Sequence, residues 1–282
     1  MHVSAPNDRE RVLLSPPSLP PSQPKSLLDL SATSWFVVAF VGQIFFTVYM
    51  VGLYGVSAWQ GDFDRWNTSM PHGYVANDLT GNLTIAVHLL LAALINVGGP
   101  LQLIPQVRRR WPRFHRWTGR AYVGAGYVLA LTGLYLVWVR GTVGGMVGAV
   151  SISINGLLII AFATLAIRHA RRRALARHRR WALRLFMVMS GVWFFRVGLM
   201  LWLMIHQAPV GFDPETFTGP FLTFMNFAQY LLPLAMLELY FWAQGKRLPW
   251  HRYAVAALIG VATLATAAGV MAVTTGMWWP RL

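Results

Sequence analysis

Arg196 stands in SGVWFFRVGLMLWLM, residues 190–204, where its neighbours over a turn on either side are apolar or glycine. If that run crosses a bilayer, the guanidinium costs about 2.5–3.5 kcal/mol at mid-depth even on the low estimates, so it needs a partner or a task. Four further polar side chains sit in similar surroundings. They are His88 in NLTIAVHLLLAALINV, Asn155 in VGAVSISINGLLIIAF, and Asn226 and Gln229 in FLTFMNFAQYLL. An arginine, an imidazole and three amides with no carboxylate among them make a set suited to an anionic or hydrogen-bond-accepting head. A haem propionate, a quinone carbonyl or an organic anion has that chemistry, and an imidazole can in addition ligate haem iron.

A second set is repeated. RWPRFHRWTGR (110–120), ALARHRRWALR (174–184) and RLPWHRYAVA (247–256) each place a His-Arg pair in a basic, aromatic setting just before an apolar run. If the three loops converged, His115, His178 and His251 would form a three-histidine metal site. Taken separately, they are interfacial anchors whose imidazoles bond lipid phosphate or loop carbonyls. His72 lies near Asp62, Asp64 and Asp78, which is cation chemistry without a defined ligand spacing. The chain has no cysteine, so thiolate metal sites, iron-sulfur clusters and cysteine nucleophiles are excluded. Nucleophile elbows, phosphate-binding glycine loops and metalloprotease helices are absent, which leaves no catalytic residue to name.

The elements that carry these residues follow from composition. Of 282 residues, 56% are hydrophobic and only 12% charged, against about a quarter charged in soluble domains. Seven apolar stretches are long enough to span a hydrocarbon layer of roughly 30 Å, near 35–58, 82–104, 118–139, 146–167, 182–206, 220–243 and 253–277. The fold expected is an all-α bundle of seven transmembrane helices. Residues 1–34, rich in Pro and Ser with mixed charges, read as a disordered tail. The first apolar run is too long for a cleaved leader.

Of the 24 Lys and Arg residues, twenty fall in the tail and in the loops after the second, fourth and sixth stretches. The other side holds Arg65, Arg140 and Arg281 together with Asp62, Asp64, Asp78, Asp213 and Glu215. The positive-inside rule puts the basic side in the cytoplasm of a bacterial inner membrane, the N-terminus inside and the C-terminus outside. The formal net charge of +15 is thereby explained by topology and by anionic headgroups as partners, not by nucleic acid. Gly144 with Gly148 and Ala256 with Gly260 have the spacing of close helix contacts. A membrane-protein partner or a homo-oligomer is left open.

Counting 1.5 Å per residue from each helix centre puts Arg196, Asn155 and Gln229 about 3 Å, His88 about 7 Å and Asn226 about 8 Å outward of the midplane. Glu238 lies roughly 13 Å from Arg196 along the normal by the same count, so no acid neutralises the guanidinium. Trp193, three residues earlier, is placed for a cation–π contact. His88 lacks a second imidazole at its depth, since His206 is roughly 10 Å shallower; Met200 is the alternative axial partner for haem.

The ordered series of His88, GPLQLIPQVRRRWPRFHRWTGRAYV (99–123), ARHRRWALR (176–184) and Arg196 resembles a group of bacterial polytopic membrane proteins, domain-of-unknown-function family 2306. The resemblance covers roughly residues 80–210 and implies the membrane fold but no activity. A looser similarity to membrane b-type cytochromes suggests haem b. The function expected is binding of a membrane-soluble cofactor or ligand, haem or quinone, in an outer-half pocket of His88, Arg196, Asn155, Asn226 and Gln229, serving electron transfer. Transport of a small anion is the rival reading and calls for helices broken at mid-membrane, of which Pro233 marks the best candidate. An accessory subunit, with the polar residues only locking helices together, is a third.

Overall fold

The computed structural model describes residues 26–70, 72–246 and 248–282. Among them every regular element is helical, apart from one isolated antiparallel bridge between Asp213 and Thr218. Six helices are each long and apolar enough to cross a membrane: α1 (Leu27–Gln60), α2 (Leu79–Leu103), α4 (Pro112–Val139), α5 (Gly145–Arg171), α8 (Pro220–Gln244) and α9 (Pro249–Arg281). Between α5 and α8 lie α6 (Leu175–Met189) and α7 (Gly191–His206), which meet at 52° and make a seventh span when counted together. A short α3 (Pro105–Arg110) sits in the basic loop before α4.

Several boundaries differ from the sequence reading, each for a local reason. Of the expected tail, residues 1–25 lie outside the described residues, whereas 27–34 are helical. α1 begins at Leu27 because Ser26 caps it: the Asp29 amide donates to Ser26 Oγ at 3.2 Å, and the hydroxyl donates to Asp29 Oδ2 at 2.7 Å. Leu28, 2% exposed, then packs with Ala243, Val255, Ala256 and Ile259. Prolines set other starts, since Pro105, Pro112, Pro220 and Pro249 all occupy the first turn, where the missing N–H costs nothing. The third apolar stretch therefore starts at Pro112, and His115 lies inside its helix.

The fifth stretch is not one straight helix. It starts at Leu175 and breaks at Ser190–Gly191, a Ser/Gly pair of the kind that bends helices. Ser190 Oγ donates back to the carbonyl of Phe186 at 2.9 Å, which competes with the regular ladder. Two π turns interrupt the outermost spans, at Val51–Gly55 in α1 and Thr274–Trp278 in α9. In the assembled bundle α1 packs on α9 and α2, α4 joins α2 to α5, α6 lies along α5, and α7 fits between α9 and α8. Gly269 permits the α7–α9 contact: a Cβ there would stand 2.7 Å from the carbonyl oxygen of Val197.

Candidate functional site

The break between α6 and α7 gathers amides from three other helices. On α1, Gln43 is 1% exposed and donates Nε2 to Ser190 Oγ at 2.9 Å. On α5, Asn155 donates Nδ2 to the carbonyl of Val188 at 3.1 Å, in the last turn before the break. On α8, Gln229 Nε2 donates at 2.7 Å to the carbonyl of Asn226, which also accepts from the Ser151 hydroxyl. Gly191 leaves room for this approach: a Cβ there would stand 3.1 Å from Asn155 Nδ2 and 3.6 Å from Gln229 Oε1. Two of the five expected side chains, Asn155 and Gln229, are thus brought together, whereas Asn226 contributes only its carbonyl and turns its amide toward Gly144 at the start of α5. Gln43 Oε1, Asn155 Oδ1 and the Tyr230 hydroxyl are buried without a hydrogen-bond partner. Because each amide nitrogen is committed to an acceptor, the Gln43 and Asn155 oxygens are the atoms left over.

Arg196 points to a different side of α7. Its guanidinium carbon lies 5.4 Å from the centre of the Phe46 ring on α1, so the cation–π partner is Phe46 and not Trp193. Trp193 instead turns inward, 1% exposed, onto the α1–α9 contact, where a Cβ on Gly42 would meet its ring at 2.8 Å. Arg196 is half-buried, lies close enough to the Tyr54 hydroxyl to act on it electrostatically, and makes no hydrogen bond or ion pair among the described residues. Both π turns contribute to its surroundings, Tyr54 from α1 and, by way of the Phe46 ring, Trp278 from α9. Trp278 stacks on Phe46 and Tyr49 at 5.1 and 6.0 Å. Trp193 Nε1, Trp278 Nε1 and Thr274 Oγ1 are buried with no partner. The guanidinium and the Trp278 indole N–H, joined through the Phe46 ring that both rest on, make a donor-rich region, the counterpart of the acceptors left over at the break.

Two of the carboxylates are committed to other arginines. Glu238 takes both arms of Arg184 at 2.6 and 2.9 Å, and Asp78 pairs with Arg140 at 2.8 Å while capping α2 through the Gly81 amide. Asp78 is therefore not free for a cation with His72, whose own carbonyl accepts from Arg140 at 3.1 Å.

His88 faces α4 and sits apart from these groups. Its Nδ1 lies 2.8 Å from Thr132 Oγ1, and that hydroxyl is already donating to the Val128 carbonyl at 2.7 Å. Met200 lies instead against Gly276 of α9. The two side chains face different helices and do not fit the two axial positions of a haem. The residues present suit hydrogen bonding to a ligand head better than ligation of iron.

His251 stacks on Trp250 at 3.8 Å and meets Trp242 edge-on at 5.0 Å. His115 and His178 do approach one another, joined by His169 of α5, which the sequence reading passed over. Among the described residues no three His, Asp or Glu side chains group as a metal site requires. Other contributors missed at sequence level are Gln43, Ser190 and Thr274. Gln43 was open to the same argument as Asn155, an amide inside an apolar run, and the Ser190–Gly191 pair is a legible helix bender.

Comparison with known proteins supports the membrane assignment. No curated protein and no solved structure gave a significant match to the chain. A family model described as "Predicted membrane protein (DUF2306)" matches residues 85–219, from the second turn of α2 to the residue before α8, which takes in His88, His115, His178 and Arg196. Over that segment, just under half of its length, the chain is similar to the DUF2306 predicted membrane proteins.

Proposed function

We propose that this is a multi-pass protein of a bacterial inner membrane that binds a membrane-soluble ligand through the donor-rich region around Arg196. The observation that carries the reading is the half-buried guanidinium with no anionic or hydrogen-bonding partner among the described residues, lying over a Phe46 ring on which Trp278 stacks, whose indole N–H also lacks an acceptor. Such donors call for an acceptor head, a quinone carbonyl or an organic anion. A groove of about 440 Å³ between α1 and α9, lined by Phe45, Val270, Met271 and Thr274 among others, is apolar enough to suit the tail of such a ligand. The role such a ligand would serve is electron transfer. In this reading the basic end faces the cytoplasm, the N-terminus is inside, the C-terminus is outside and Arg196 lies in the outer half of the bilayer.

The test uses a short-chain benzoquinone as probe on the purified protein in nanodiscs. A ligand at 100 times its Kd stabilises the folded state by about 2.7 kcal/mol, a readily measured rise in unfolding temperature. The rise is expected in the unsubstituted protein and in Arg196→Lys, and is expected to vanish in Arg196→Leu and weaken in Trp278→Phe. Equal shifts in all four proteins, or no shift in any, would sink the proposal.

The break in the fifth span favours a second reading, passage of a small polar solute. Discontinuous helices whose ends and side chains ring a mid-membrane site recur in secondary transporters, and here a 52° bend is surrounded by Gln43, Asn155 and Gln229. On this reading Gly191→Leu fills the site and abolishes solute uptake into proteoliposomes while the protein stays folded.

A further inference from the structure

At the basic end, the start of α4, the end of α5 and the start of α6 bring three imidazoles into one region. His178 Nδ1 lies 3.0 Å from the carbonyl of Ala166, and its ring is within electrostatic reach of both His115 and His169. The Nδ1 atoms of His115 and His169 are buried and have no hydrogen-bond partner. Around them stand Arg108 and Arg116, which act on His115, and Arg168, Arg172 and Arg177, which act on His169.

Three other arginines of this end are engaged. Arg184 holds Glu238 and lies 4.5 Å over Trp181, Arg180 lies 4.6 Å over Phe241, and Arg120 lies 5.3 Å over Trp117. The five that surround the imidazoles have no ion pair among the described residues, where the two pairs are Arg140–Asp78 and Arg184–Glu238. Gathering like charges beside polar atoms without partners raises the free energy of the folded state unless an anion offsets it.

We propose that this end of α4, α5 and α6 binds a phosphate monoester, the group carried by a phosphatidate-type lipid headgroup or by free phosphate. Guanidinium forks match phosphate oxygens with paired N–H donors, and an imidazole beside a dianion donates from whichever nitrogen is free. A doubly charged group uses several of the five arginines at once, which a zwitterionic headgroup does not. This site is at the opposite end of the bundle from the Arg196 region and stands or falls independently of it.

The test uses the purified full-length chain in detergent, with dioctanoyl phosphatidate, dioctanoyl phosphatidylcholine and inorganic phosphate as separate probes and thermal unfolding as readout. Phosphatidate is expected to stabilise the protein and to bind about tenfold or more tighter than phosphatidylcholine. The double variant His115→Gln/His169→Gln is expected to weaken phosphatidate by about tenfold or more, the loss that goes with a charge-assisted hydrogen bond. Stabilisation by phosphatidate alone assigns the site to lipid; stabilisation by inorganic phosphate as well assigns it to the phosphate group whatever its source. Should the double variant fail to fold, Arg116→Gln/Arg172→Gln carries the same expectation. Equal stabilisation by phosphatidylcholine, or a variant that folds and binds phosphatidate as tightly as the unsubstituted chain, overturns the proposal.

Discussion

Replacing Gln43 by leucine tests the arrangement at the break through the sign of a stability change. The side chain is 1% exposed and makes one hydrogen bond, Nε2 to Ser190 Oγ at 2.9 Å, while its Oε1 is buried without a donor. Interhelical hydrogen bonds inside membrane bundles average about 0.6 kcal/mol and reach about 1.7. A buried acceptor left unmade costs about 1–3 kcal/mol. Leucine, of similar volume, removes both terms, so Gln43→Leu is expected to leave stability unchanged or to raise it by up to about 2 kcal/mol. Ser190→Ala has the opposite effect. It strands Gln43 Nε2 beside the existing orphan, and a loss of about 1–3 kcal/mol is expected. In the Gln43→Leu background the same serine change should cost almost nothing, so the double-mutant cycle returns a coupling of about 1–2 kcal/mol. Reversible unfolding by sodium dodecyl sulfate in mixed micelles measures all four proteins. A loss of more than about 2 kcal/mol for Gln43→Leu alone would mean that Oε1 is satisfied in the folded protein, and would refute the account of the break as a site that trades stability for an open acceptor.

Gly269→Ala sets a Cβ 2.7 Å from the Val197 carbonyl oxygen and should cost about 1–3 kcal/mol by parting α7 from α9, whereas Gly260→Ala meets nothing within 4 Å and should be neutral or slightly stabilising; the same unfolding assay compares them. The Gly81 amide and then the Arg140 guanidinium hold the Asp78 carboxyl below its ordinary range, so the stabilisation it contributes is present above about pH 4 and is lost as pH falls through its lowered folded value. Hydrogen exchange at the start of α2, followed from pH 6 down to 3, should show that loss in the unsubstituted protein and a flat profile in Asp78→Asn. Because the chain has no cysteine, single Arg109→Cys and Thr216→Cys variants report topology cleanly: a membrane-impermeant maleimide on intact cells should label position 216 and spare 109, and the reverse pattern overturns the proposed orientation.

Much of the membrane architecture was legible in the amino-acid sequence because it depends on sums along the chain. A run such as the one from Leu79 to Leu103 declares its span by length and apolar content, whatever it later packs against. The absence of a neutralising acid near Arg196 was likewise readable, since the few carboxylates fall near helix ends. The resemblance carried by His88, the His115 and His178 segments and Arg196 anticipated the family match over 85–219.

What only the tertiary structure decided is the direction in which each polar side chain looks. Neighbours in depth need not be neighbours in azimuth: Asn155 and Gln229 face Gly191, Arg196 faces Phe46 one side further round α7, and His88 turns to Thr132 on α4. A hydropathy sum over some 20 residues is blind to the 52° bend at Ser190, because bending leaves composition unchanged. It is equally blind to the π turns that carry Tyr54 and Trp278 into the Arg196 region. Length and composition specify that a helix crosses; rotation about its axis, and with it the hydrogen-bond partners, is set by which small residues let its neighbours approach.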